Sequence, residues 1–179
     1  MMGFLFALLA SVIAGFGARD QVLVARMALP QRARPAVLLV ALAAALGSAA
    51  AASWAGLNLV PPMVPRARLL LAAMALGLAA LELLFVQPGR KPEEPTASLG
   101  AFAIVILAQQ LTDAARLLVF VIVASSAVPQ LAAAGGLLGC AVTVAAGWLA
   151  GPRLLRWPLV SIRRALGAVL AAAAIWLTL

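Results

Sequence analysis

Two short stretches hold the reactive side chains of the chain's apolar runs. In "GARDQVLVA" (17–25) Arg19 and Asp20 are adjacent, and in "QLTDAARLL" (110–118) Asp113 and Arg116 stand three apart within an apolar run from Leu99 to Val128. Acids inside an apolar run are costly there and by default mark an ion or proton path. The guanidinium groups of Arg19 and Arg116 beside them can pair with those acids. On a helix Gln109, Thr112, Asp113 and Arg116 share one face at i, i+3, i+4 and i+7, with Gln110 bordering it. Arg19, Asp20 and Gln21 are consecutive and spread around theirs, while Phe16, Gly17, Val24 and Met27 share the Asp20 face. The competing reading is packing alone: Asp113 with Arg116 at i, i+3, and Arg19 with Asp20 or Asp113. An ionised group at the bilayer centre costs about 2.5–3.5 kcal/mol on insertion scales, and aspartate is too short to snorkel. Both acids are therefore expected to face the bundle interior, where the functional reading leads.

The elements that must hold these residues are membrane spans. The 179-residue chain is 66% apolar and 10% charged, with a mean hydropathy of +1.14, against about 45–50% and 25% in soluble domains. Six apolar spans follow, near Gly3–Leu29, Ala36–Leu59, Leu69–Val86, Leu99–Val128, Gln130–Leu149 and Leu159–Leu179, each near the roughly 20 residues that a crossing needs. Proline-rich or basic breaks separate them, the longest being "QPGRKPEEPTAS". There is no histidine, and the one cysteine, Cys140, reads as a small buried hydrophobe. No phosphate loop, Ser/His/Asp set or Cys/His metal site is present, which argues against an enzyme and against a cofactor.

The net charge of +8 reads as topology rather than as a nucleic-acid surface. Arg26, Arg32 and Arg34 flank the first break, Arg90 and Lys91 the third, and Arg153, Arg156, Arg163 and Arg164 the fifth; Arg66 and Arg68 at the second are the exception. Positive loops stay inside, so the expectation is an inner-membrane protein with both termini periplasmic and the linker at 88–98 cytoplasmic. Trp54, Trp148, Trp157 and Trp176 fall near span ends, as an aromatic belt does. The first span lacks a basic flank, and apolar sequence resumes after Gln21, against a cleaved signal. Glu82, near the end of span three, reads first as an interfacial residue and second as a proton relay. Glu93 and Glu94 read as solvated loop charge.

The halves echo each other. Asp20 and Asp113 are 93 positions apart, Trp54 and Trp148 are 94 apart, and "RARLLLAAMALG" resembles "RRALGAVLAAAA" about 97 further on. Three spans per repeat is an odd number, so the second copy inserts upside down. The expected fold is all-α and transmembrane: residues 1–88 form the first three-helix repeat, 89–98 a linker, and 99–179 the inverted second repeat.

This plan resembles the Gdt family of small transmembrane manganese/calcium:proton antiporters, with six spans as inverted three-helix repeats and a Glu-x-Gly-Asp-(Lys/Arg)-(Ser/Thr) motif in spans one and four. The likeness of plan covers the whole chain, whereas the motif likeness rests on the aspartates. In "GARDQV" Asp20 matches, with Gly17 for the glutamate, Arg19 for the glycine, Gln21 for the basic residue and Val22 for the hydroxyl. In "QLTDAA" Asp113 matches, with Gln110 isosteric for the glutamate and Thr112 for the glycine. The resemblance implies a cation site at Asp20 and Asp113 with Gln109, Gln110 and Thr112, and exchange of a divalent cation (Mn²⁺ or Ca²⁺) for a proton across the bilayer. If Arg19 and Arg116 enter that cavity its charge sums to zero. Two alternatives then stand: an exporter of a small zwitterionic or organic solute, or a membrane scaffold that transports nothing.

Overall fold

A computed structural model describes residues 1–28, 35–86 and 98–179. Among them the chain is helical without strands: α1 (Met2–Gly15), α2 (Arg19–Met27), α3 (Pro35–Asn58), α4 (Pro65–Phe85), α5 (Leu99–Leu111), α6 (Ala114–Ser125), α7 (Pro129–Ala150) and α8 (Leu159–Trp176), with a 3-10 segment at Gly151–Arg156. The 89–98 linker lies outside the described residues except for Ser98. Proline opens α3, α4 and α7, where its missing N–H would have had no helical acceptor. Ser98 caps α5, its Oγ accepting from the Ala101 N–H at 3.1 Å.

Four helices are long and apolar enough to cross a membrane, and there are six spans if each of two bent pairs counts as one. The chain is thus an all-helical, multi-pass membrane protein of four to six spans. The 24-residue α3 reaches about 36 Å at 1.5 Å per residue, enough for a hydrocarbon core of about 30 Å.

The bent pairs depart from the sequence expectation. The apolar runs predict continuous helices for spans one and four; instead the chain bends by 67° between α1 and α2 and by 53° between α5 and α6. The Gln109–Thr112–Asp113–Arg116 stripe therefore runs across a break rather than along one helix. The polar residues cause it: a side chain that bonds to backbone N–H groups offers the chain an alternative to the helical ladder.

Of the four unbroken spans, the one that contains α7 is the most buried, half of it against 22% for α8. Glycines let α7 touch α1: a Cβ at Gly135 would collide with the Phe4 carbonyl oxygen, and one at Gly139 would lie 2.7 Å from that of Leu8. Such close backbone approach is how helices associate where lipid removes the hydrophobic drive. Helices α3 and α7 also pack on each other, α3 on α5 and α6, α7 on α1 and α2, and α4 on α8. Cys140 is buried and free, as its sequence setting indicates.

Candidate functional site

The two breaks bring the two aspartates to one guanidinium. Asp113 is the N-cap of α6: its Oδ2 accepts from the Ala115 N–H at 3.2 Å and from Arg116 Nη1 at 2.7 Å. Asp20 lies in the first turn of α2. Its Oδ1 accepts from the Gln21 N–H at 2.7 Å, and its Oδ2 accepts from Gln110 Nε2 at 3.1 Å. Arg116 Nη2 lies 3.1 Å from that same Oδ2, a charge contact rather than an aligned hydrogen bond. Arg116 thus stands between the two acids. Carboxylates at helix N-termini are favoured by the aligned peptide dipoles as well, and here two such termini serve one cluster.

Neutral groups complete the setting. Arg116 Nε donates to Ser48 Oγ at 3.2 Å. That hydroxyl lies 3.2 Å from Gln110 Oε1 and 3.1 Å from the Ala45 carbonyl oxygen, and gives its one proton to one of them. Asp20, Gln110, Asp113 and Arg116 are each at most 4% exposed. Buried charge is tolerable when paired and hydrogen-bonded, whereas removing one member of such a pair costs about 3–5 kcal/mol.

A second charged layer adjoins the first. Arg19 donates from Nη2 to Thr112 Oγ1 at 2.9 Å, joining the two breaks, and its Nε lies 4.0 Å from Glu82 Oε1. Glu82 is buried inside the protein, and both its oxygens accept from Arg163 Nη2 at 2.6 Å. Arg163 is 1% exposed, and its Nε and Nη1 have no acceptor. The three acids among the described residues (Asp20, Glu82 and Asp113) thus meet three arginines, and the formal charge of the cluster is zero. Among the described residues, no group of three or more His, Cys, Asp or Glu side chains could hold a metal ion.

Of the residues expected from sequence, Asp20, Gln110, Asp113 and Arg116 converge. Arg19 and Thr112 pair beside them, Thr112 on an exposed position. Gln109 stands apart from this network, its Oε1 buried without a hydrogen-bond partner. Sequence reasoning missed three contributors: Ser48, hidden in an alanine-rich run; Glu82, assigned to the interface; and Arg163, counted as a loop charge. Arg163 falls four residues after Leu159, already inside an apolar run, and that position was the available signal. Comparison with protein-family models, curated proteins and solved structures finds no match to this chain.

Proposed function

We propose that the chain is a secondary transporter of the inner membrane, built from two inverted three-span halves (1–88 and 99–179) with both ends periplasmic, similar in plan to the Gdt antiporters. Support for the repeat comes from the packing: α3 lies on the broken helix of the second half as α7 lies on the broken helix of the first, and α4 meets α8. The observation that carries transport is the pair of bends. Two half-helices begin at buried aspartates held by one arginine. Half-helix N-termini aimed at a charged site near mid-membrane are a recurring transporter arrangement.

Charge decides the solute. Arg116 fills the place between Asp20 and Asp113 that a divalent cation would take, and the whole cluster is neutral. Adding Mn²⁺ or Ca²⁺ leaves two positive charges unmatched in a low-dielectric interior unless Arg116 departs. A small solute that carries one charge of each sign leaves the sum unchanged, so the balanced site favours a zwitterionic or organic solute over the cation/proton exchange of the family. The test is uptake into proteoliposomes under an imposed pH gradient, with radiolabelled glycine and Mn²⁺ as probes. Glycine flux without Mn²⁺ flux is expected. Mn²⁺ flux through the wild-type chain contradicts the balanced-site reading.

One observation favours a second reading, a scaffold that transports nothing: the central charges are almost wholly buried. Absence of flux for both probes supports it.

A further inference from the structure

We propose that Arg163 is the docking point for the carboxylate of a small solute, which names one half of the substrate and rests on the transporter reading above. The carrying observation is chemical incompleteness. A guanidinium has five N–H donors, and a buried donor without an acceptor is costly. Arg163 is 1% exposed, yet only Nη2 is engaged, by Glu82, and Nε and Nη1 are buried without an acceptor. Arg116, by contrast, has all three nitrogens within hydrogen-bond or ion-pair distance of an acceptor. Both buried arginines face acids, but one of them retains capacity for a further anion.

Two further features lie close to this stretch of α8. Gly17, at φ +71°, ends the break just before the nine-residue α2, and a Cβ placed there would come within 3.5 Å of Arg163 Cδ and 3.2 Å of Leu159. The chain entering α2 therefore passes against the stem of Arg163, while its Gly17 N–H is held by Gln21 Oε1 at 2.7 Å. A cavity of about 290 Å³ lies at the first turn of α8, lined in part by Val22, Arg26, Trp157, Leu159 and Ser161; Arg163 is not part of its wall and is one turn further along the helix. Leu159 is one helical turn before Arg163 and shares its face. That volume falls just below the range of about 300–1,000 Å³ typical of drug-sized ligands, and it suits a solute of few heavy atoms. Glu82 then acts as the resident carboxylate with which the solute competes, and Arg19, 4.0 Å from Glu82, is the group to which Glu82 can turn.

The experiment measures binding rather than transport. Purified protein in detergent is heated with increasing sodium acetate or glycine, with methylammonium chloride as the control, and the unfolding temperature is followed, because a ligand that binds only the folded state raises it. A saturable rise with acetate, glycine or both is expected, with none from the control. Comparison of the two probes tells whether an ammonium group is needed. In Glu82→Gln the internal competitor loses its charge, and acetate should bind about tenfold tighter, the scale of one charge-assisted hydrogen bond. The double change Glu82→Gln with Arg163→Gln keeps the cluster neutral and foldable, and should abolish the rise. No saturable rise in either the wild type or Glu82→Gln, or an equal rise in the double variant, overturns the proposal. Because the readout is binding, a failed uptake assay would count against transport without altering this result.

Discussion

The two breaks do the same mechanical work with different chemistry. The first, between α1 and α2, uses Gly17 at φ +71° and has no side-chain cap, since Ala18 occupies that position. Its support comes from one turn ahead: Gln21 Oε1 accepts from the Gly17 N–H at 2.7 Å, and Gln21 Nε2 donates to the Thr143 carbonyl on α7 at 3.0 Å. The second, between α5 and α6, needs no glycine, because Asp113 itself caps the new helix. The first break thus separates backbone geometry (Gly17) from charge (Asp20), whereas the second places both on one residue. Compensation is unequal too. Arg116, from the second half, serves both aspartates, while Arg19, from the first, reaches across to Thr112 and towards Glu82.

That asymmetry ranks the expected damage, read as loss of unfolding free energy in detergent. Arg116→Gln strands two buried carboxylates and should cost about 3–5 kcal/mol. Adding Asp113→Asn removes one of them, restores the balance of charge over the cluster, and should recover much of the loss. An additive double variant would deny the pairing. Gly17→Ala should cost about 1–2 kcal/mol for the left-handed backbone, made worse by Leu159 at 3.2 Å. A neutral result there would mean that the first break is not held at that dihedral angle. At Asp113, alanine should be worse than asparagine by about 1 kcal/mol, because asparagine still caps a helix. Arg19→Ala, at a side chain that is 31% exposed, should cost under about 1 kcal/mol.

The contrast between the breaks also explains what could be read from the sequence. Apolar runs and their proline-rich ends marked where the long apolar helices lie, because length and hydropathy are local properties of the chain. Asp20 and Asp113 stood out because an acid in such a run is costly. The bends are not legible in the sequence because Asp113 in a membrane run looks like a residue on a polar helix face. Nothing local distinguishes that from an N-cap until the Ala115 N–H is seen to point at its carboxylate. Glycine and glutamine at the first break were similarly ambiguous, since Gly17 also suits close helix packing. Glu82 and Arg163 are 81 residues apart, and their pairing depends on α4 lying against α8, a tertiary fact. Arg163 also fits the positive-loop pattern, which masks its place inside α8.

The central claim is that Arg116 is a built-in cation occupying the space between Asp20 and Asp113. The most direct measurement is equilibrium binding of radioactive Mn²⁺ to purified wild-type protein and to Arg116→Ser, with Asp113→Asn added to the latter as the control. The account predicts no saturable binding to the wild type, saturable binding once Arg116 is serine and two oxygen-ligand carboxylates stand free, and its loss again when Asp113 is neutralised. Saturable Mn²⁺ binding by the wild-type protein, or none by Arg116→Ser in a folded state, would contradict it.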